Sequence, residues 1–197
     1  MMKKNLVGVL DYGTGNLSSI LNCLQLLGYS SKIIKKEIDL DGVSTIILPG
    51  VGAMNFAMQN IKKNNLDVLI HKIFLKNKIR IIGICLGMQL FYEFSEEGNT
   101  PCLGLIEGKV KKFPKNYCHV GWNKVQTKLL GDIEDQHKNF YFNHSFYVPY
   151  KKNHSMGITS NIKKFSSIVK KGSFFGLQFH PEKSQLIGRK LLNELIV

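Results

Sequence analysis

Arg80-Ile81-Ile82-Gly83-Ile84-Cys85-Leu86-Gly87-Met88-Gln89 decides how this chain is read. After Arg80, Ile81 to Ile84 form the apolar run of a buried central strand. Cys85, Leu86 and Gly87 come next, followed by a run that predicts helix from Met88 to Phe94. Gly-x-Cys-x-Gly between strand and helix is the cysteine counterpart of the Gly-x-Ser-x-Gly nucleophile elbow. Gly83 and Gly87 leave room for a sharp, strained turn that lifts the sulfur clear of the sheet. Backbone N–H groups and the helix dipole at that point favour a thiolate. A cysteine in an apolar run is also commonly a small buried hydrophobe. The choice rests on what the rest of the chain supplies.

Upstream, Leu6 to Leu10 predicts a first strand that opens into the turn Asp11-Tyr12-Gly13-Thr14-Gly15-Asn16. A helix over about 17–27 follows, closed by Gly28. The turn lacks the full G-x-G-x-x-G pattern of a dinucleotide site, because Leu17 and Ser18 follow Asn16. It is better read as a turn that faces a ligand or a partner. Ser31 to Ile34 and Thr45 to Leu48 predict two more strands. The latter runs into Pro49-Gly50-Val51-Gly52-Ala53, whose exposed N–H groups can form an oxyanion hole. Helices are expected over about 55–62 and 66–75. Strands alternating with helices imply a mostly parallel sheet flanked by helices, an α/β fold. Gly13, Gly52 and Cys85 then lie at strand C-termini along one sheet edge, where sites of such folds form.

After Gly98 the texture changes to short strands with turn residues between them. They are expected over 109–113, 124–127, 140–142, 146–148, 156–159, 167–170 and 174–179, mostly antiparallel. A last helix over 184–195 carries Leu186, Ile187, Leu191, Leu192 and Leu195 on its apolar face. No linker, internal repeat or low-complexity tract divides the chain, so a single domain over 1–197 is expected.

Gln178-Phe179-His180-Pro181-Glu182 ends the last strand. In extended backbone, residues i and i+2 share a face, so His180 and Glu182 project together. A carboxylate so placed holds an imidazole in one tautomer and stabilises its cation. Cys85, His180 and Glu182 thus make a candidate nucleophile, base and orienter. His119 and His144 sit beside aromatic residues, and no metal-ligand spacing links them, so they read as packing or substrate-shell residues.

The chain carries 27 Lys and Arg against 14 Asp and Glu, a formal net charge of +13. Arg80 and Arg189 are the only arginines, and the lysines are scattered in ones and twos. Nucleic-acid readers use arginine forks and basic helices, so a solvated lysine surface is expected and no nucleic-acid partner. No apolar run approaches a membrane span, and the weak apolar stretch near the N-terminus ends at Asp11. Cys23, Cys85, Cys102 and Cys118 contain no C-x-x-C pair, which speaks against zinc or redox use and for a reducing, cytoplasmic setting.

G-I-C-L-G-M-Q together with F-H-P-E resembles the class I (triad) glutamine amidotransferases. Five segments resemble, within that family, the glutaminase subunits of imidazole glycerol phosphate synthases. They are Y-G-T-G-N at 12–16, P-G-V-G-A at 49–53, H-V-G-W-N at 119–123, F-N-H-S-F at 142–146 and F-G-L-Q-F-H-P-E-K-S at 175–184. The resemblance implies the amidotransferase fold, no cofactor, no metal, and L-glutamine as substrate. It implies that Cys85 is the nucleophile, with His180 and Glu182 completing the triad. Gly50, Gly52 and Leu86 would then serve the oxyanion, and Gln89, Ser145 and Phe146 the rest of the substrate. It also implies a heterodimer with a (β/α)8-barrel cyclase that takes up the ammonia, with Asn16, Trp122, Asn123 and Lys183 towards that partner. Two departures stand out: Cys118 where the family commonly has Pro, and Asn143 with Phe146 where it commonly reads F-V-H-S-Y. Neither touches the triad. Both would also suit a paralogue that feeds ammonia to a surface-sugar amidotransferase, which is the alternative reading.

Overall fold

The computed structural model describes residues 5–134 and 137–196. The first half contains β1 (Leu6–Leu10), α1 (Leu17–Leu26), β2 (Ser31–Ile34), β3 (Val43–Leu48), α2 (Met54–Lys63), α3 (Leu66–Lys76), β4 (Arg80–Ile84) and the one-turn α4 (Leu86–Gln89). The second half adds β5 (Tyr92–Ser95), β6 (Thr100–Pro101), β7 (Ile106–Lys112), β8 (His119–Lys124), β9 (Gln126–Thr127), β10 (Asn139–His144) and β11 (Phe146–Tyr147). It closes with β12 (Ser155–Ser160), β13 (Lys164–Lys171), β14 (Phe174–Leu177) and α5 (Gln185–Leu195).

The central sheet has eight strands in the order β2-β1-β3-β4-β14-β13-β12-β9. From β2 to β14 neighbours run parallel, and from β14 onward antiparallel. This is the α/β architecture that the sequence predicts. Alternation along the strands serves two cores. Ile46, Leu48 and Ile81 pack with α2 and α3. Ile47, Ile82 and Ile84 pack with α1, α5 and a cluster of phenylalanines from β10, β13 and β14. Being apolar on both faces is what a central parallel strand requires. A two-stranded ribbon, β8 with β10, and a small sheet of β11, β7, β5 and β6 complete the described residues.

The helix expected over Met88–Phe94 is not formed. One turn ends at Gln89, and the chain enters β5 instead. The Leu90 and Phe91 carbonyls accept from Leu103, Leu105 and Ile106, and β5 pairs with β6 and β7. Tyr92 and Phe94 are strand formers, and this tertiary pairing outweighs the helical spacing. The sequence pattern does not predict the ribbon strand β8, because Gly121 and Asn123 break the alternation. The last strand ends at Leu177 rather than Phe179. On α5 the buried stripe is Gly188, Leu191, Leu192 and Leu195, while Leu186 is exposed.

Gly83, in the middle of β4, faces the Gly87 peptide, and a Cβ there would sit 2.6 Å from the Gly87 carbonyl oxygen. Gly83→Ala is therefore expected to cost about 1–3 kcal/mol of folding stability, the usual range for overpacking. Urea denaturation checks it: the midpoint falls while the slope stays unchanged.

Candidate active site

The register of the sheet brings the strand ends together. β3, β4 and β14 are parallel neighbours, with Leu48 opposite Gly83 and Ile84 opposite Leu177. The residues that follow them, 49–53, 85–87 and 178–182, therefore meet at one edge. The 11–16 turn after β1 packs beside them: Tyr12 is buried and its hydroxyl donates to the Pro49 carbonyl. Asn16 caps α1, its side chain accepting from the Ser19 N–H at 3.2 Å.

Cys85 adopts φ 52° and ψ −106°. Such backbone costs a non-glycine residue about 1–3 kcal/mol and persists only where neighbours fix it. Here the Cys85 N–H donates to Leu177 at 2.7 Å, and its carbonyl accepts from Met88 and Gln89 at 3.1 and 3.2 Å. Glycines make the fit possible. A Cβ on Gly87 would lie 2.1 Å from the Leu48 carbonyl oxygen, and one on Gly50 2.2 Å from the Gly87 nitrogen. The Leu86 N–H has no acceptor among the described residues, which leaves it available to an oxyanion.

His180 and Cys85 line the same cavity, and the sulfur acts on the ring to favour the imidazolium. The His180 Nδ1 lies 2.8 Å from Glu182 Oε1, and both side chains are almost fully buried. Burial opposes the imidazolium, but the influence of Cys85 and Glu182 outweighs it and raises the His180 pKa to about 10. Extended backbone, which the sequence predicts here, is not what makes this pair. Instead Pro181–Lys183 form a 3-10 turn that folds Glu182 back onto the ring. Ser184 fixes this turn: its hydroxyl donates to the His180 carbonyl at 2.6 Å and accepts from the Tyr141 N–H at 2.9 Å. Thiol, imidazole and carboxylate in this order can deprotonate a sulfur and return the proton to a leaving group.

Gly50, Gly52, Cys85, Leu86, Gln89, Ser145, Phe146 and His180 all line one cavity of about 260 Å³. Val51, Glu97, Cys118, Asn143 and His144 line it as well. Gln89 donates both Nε2 hydrogens inward, to the Phe146 carbonyl at 2.9 Å and to Gln178 Oε1 at 3.0 Å. Gln178 Nε2 lies 3.7 Å from the Cys85 sulfur. The Asn143 carbonyl is 3.9 Å from that sulfur, so this departure does touch the triad, through its backbone. Trp122 and Val120 project outward from β8, exposed to 49% and 59%. Lys183 is exposed, and the Asn123 amide turns inward to His119. Among the described residues no cluster of His, Cys, Asp or Glu could hold a metal ion.

A model of the glutamine amidotransferase class-I family matches residues 8–195. The chain belongs to this family. Among curated relatives it is 37% identical over 201 residues to the imidazole glycerol phosphate synthase subunit HisH 2 of Pseudomonas aeruginosa, covering 97% of this chain and 98% of that one. It is 38% identical over 196 residues to the subunit HisH of Haemophilus influenzae, covering 96% of each. Of solved structures, PurLQS of Thermotoga maritima superposes with a TM-score of 0.74 at 20% identity, covering 98% of this chain and 97% of that one. A structure of a glutamine amidotransferase gives 0.72 at 18% identity and 96% of both chains. These two establish likeness of fold.

Sequence reading of the amidotransferase missed Gln178, Ser184 and Glu97. Gln178 and Ser184 are fully buried polar residues whose partners, Gln89 and Tyr141, lie far away in sequence, so no local signal marks them. Glu97 carries no local signal: only tertiary folding takes it to the cavity, where burial raises its pKa against one bond from the Met54 N–H. The pKa of the amidotransferase's His180 can be tested directly. At pH 8, below its value of about 10, its ring should read as a cation by 15N NMR. Cys85→Ala removes the sulfur that helps to hold the charge and leaves burial opposing Glu182 alone, so the ring should read neutral at that pH. An unchanged cation would mean that the sulfur does not hold it.

Proposed function

We propose that this enzyme is the glutaminase subunit of an imidazole glycerol phosphate synthase, acting as a single domain in the cytoplasm. The observation that carries the chemistry is the buried line Cys85–His180–Glu182 at a cavity of about 260 Å³. What supports the assembly is full-length relatedness to subunits of that name at 37–38% identity.

Cys85 Sγ attacks the carbon of the glutamine side-chain amide with its proton already resting on His180, and Glu182 steadies that imidazolium. The carbonyl oxygen of the tetrahedral adduct takes the Leu86 N–H and a donor from the Gly50–Gly52 loop, each worth about 2.7–4 kcal/mol in such a site. His180 gives its proton to the departing nitrogen. Ammonia leaves, a glutamyl thioester remains, and water hydrolyses it to glutamate with His180 as base. The amino-acid end lies against Gln89, Ser145 and Phe146. Both Gln89 Nε2 hydrogens are committed, so its Oε1 and the Glu97 carboxylate suit the α-ammonium group.

The ammonia passes to a (β/α)8-barrel cyclase that forms imidazole glycerol phosphate and AICAR in histidine synthesis. The turn at 11–16, Trp122 and Lys183 form the partner side, while the Asn123 side chain, turned inward to His119, lies behind it. Exposed Val120 and Trp122 at i and i+2 give an apolar patch of the kind that an interface covers.

The test is glutamate release from glutamine, measured for the chain alone and with the cyclase plus its nucleotide ligand. The free chain should be slow and the complex strongly stimulated. Cys85→Ala should lose at least about 10³-fold, and Glu182→Gln about 10²–10⁴-fold, by comparison with other triads. A working glutaminase that the cyclase does not stimulate would point to a sugar amidotransferase as acceptor. Full activity in Cys85→Ala would overturn the mechanism.

A further inference from the structure

Behind the cavity lies a polar chain that the proposed chemistry does not use. His119 and His144 are buried, directly paired across the ribbon of β8 and β10. They sit among aromatic rings: His119 stacks on Phe142 at 4.6 Å, and Phe113 and Phe165 each lie 5.4 Å from His144. Two imidazoles in so apolar a place need an exact match of donors and acceptors. Chemistry sets the direction of each bond. His144 Nδ1 lies 2.7 Å from the Phe146 carbonyl oxygen, which can only accept, so Nδ1 carries the proton and Nε2 is bare. His119 Nδ1 lies 3.0 Å from that bare Nε2, so it too carries a proton. His119 Nε2 is then an acceptor, and Asn123 Nδ2 donates to it at 3.2 Å. Burial independently favours the neutral rings, lowering His119 to about 4 and His144 to about 3.

The Phe146 oxygen at the end of this chain is the oxygen that Gln89 holds. We propose that His119 and His144 are positioning residues, a tautomer-locked pair that fixes the Phe146 carbonyl and through it the Gln89 amide at the substrate cavity. Locking matters because the alternative tautomer of His144 turns a bare nitrogen towards a carbonyl oxygen. Two acceptors would then face each other at 2.7 Å. The Phe146 peptide would rotate, Gln89 would lose one of its two acceptors, and its Oε1 would no longer be held towards the cavity. His119 prevents this by donating to His144 Nε2. The effect on glutamine rests on the proposed function; the tautomers do not.

Two measurements separate these. In 15N-histidine-labelled protein at neutral pH, both rings should show a protonated Nδ1 and a bare Nε2, the minor form of free histidine. An Nε2–H ring at either position overturns the proposal, whatever the enzyme does. His119→Phe keeps the aromatic packing and removes the donor, whereas His119→Asn keeps a donor near the Nδ1 position. Alkylation of Cys85 by a glutamine-like diazoketone should slow about tenfold in His119→Phe and recover in His119→Asn. Alkylation by iodoacetamide, which needs no amino-acid contacts, should be unchanged in both, and so reports a folded site. Equal diazoketone rates in wild type and His119→Phe overturn the positioning role. A wild-type chain that the diazoketone does not modify refutes the glutaminase reading instead, and leaves the tautomer measurement to decide the lock.

Discussion

Cys85 sits at φ 52° because three backbones converge on it with no side chain between them. Gly50 lies against Gly87, Gly87 against Leu48, and Gly83 against Gly87, each closer than a Cβ allows. That contact packs the chain after β3, at Gly50, directly against the turn after β4. The strain in the turn is met by hydrogen bonds from both sides, from Leu177 of β14 and from the first turn of α4. The strand carrying His180 is thus bonded directly to the peptide of Cys85. Sulfur, imidazole and glycine loop are held near one another by main chain, and the side chains need only complete the geometry.

Low polarity then decides what those side chains do. His180 and Glu182 are nearly sealed from water, where an unpaired charge is expensive and a paired one is strongly felt. Glu182 Oε2 has no partner among the described residues, so the imidazole is the only group found to share its charge. A carboxylate with one partner polarises that partner more than one spread over several donors. It therefore helps to carry His180 past the burial that would otherwise keep it neutral. His144, which lines the same cavity, meets similar burial with neither a carboxylate nor the sulfur acting on it, and its pKa falls to about 3. Two buried imidazoles of opposite character follow from the sulfur and the carboxylate that one has as neighbours and the other lacks.

The reading of the fold from sequence worked where local pattern and tertiary environment agree. The strand β4, the glycine loop at 49–53 and the H-P-E segment are short, punctuated and chemically distinctive, and all three lie where the pattern places them. It failed at 88–94, where helical spacing competed with strand formers and long-range pairing to β6 and β7 settled the outcome. It also reached the His180–Glu182 pair by the wrong geometry, since a 3-10 turn does what extended backbone was expected to do. Gln178, Ser184 and the orientation of the histidine pair were not legible, because each depends on a partner far away in sequence. Gln178 meets Gln89, Ser184 meets Tyr141, and His119 meets His144.

The departures at Asn143 and Phe146 look different once the site is assembled. What residue 143 offers to the sulfur is its carbonyl. What residue 146 offers to Gln89 and His144 is also its carbonyl. Peptide groups are common to every residue type, so the side chains there can change while the bonds at the triad persist. Cys118 lines the cavity from the turn before β8, outside this network of bonds. The departures therefore bear on the walls of the cavity and leave its chemistry alone, which removes the main sequence argument for a different ammonia acceptor. Any difference in acceptor must lie in the outward-facing residues, such as Val120 and Trp122 on β8 and Lys183 beside the base, whose side chains are exposed.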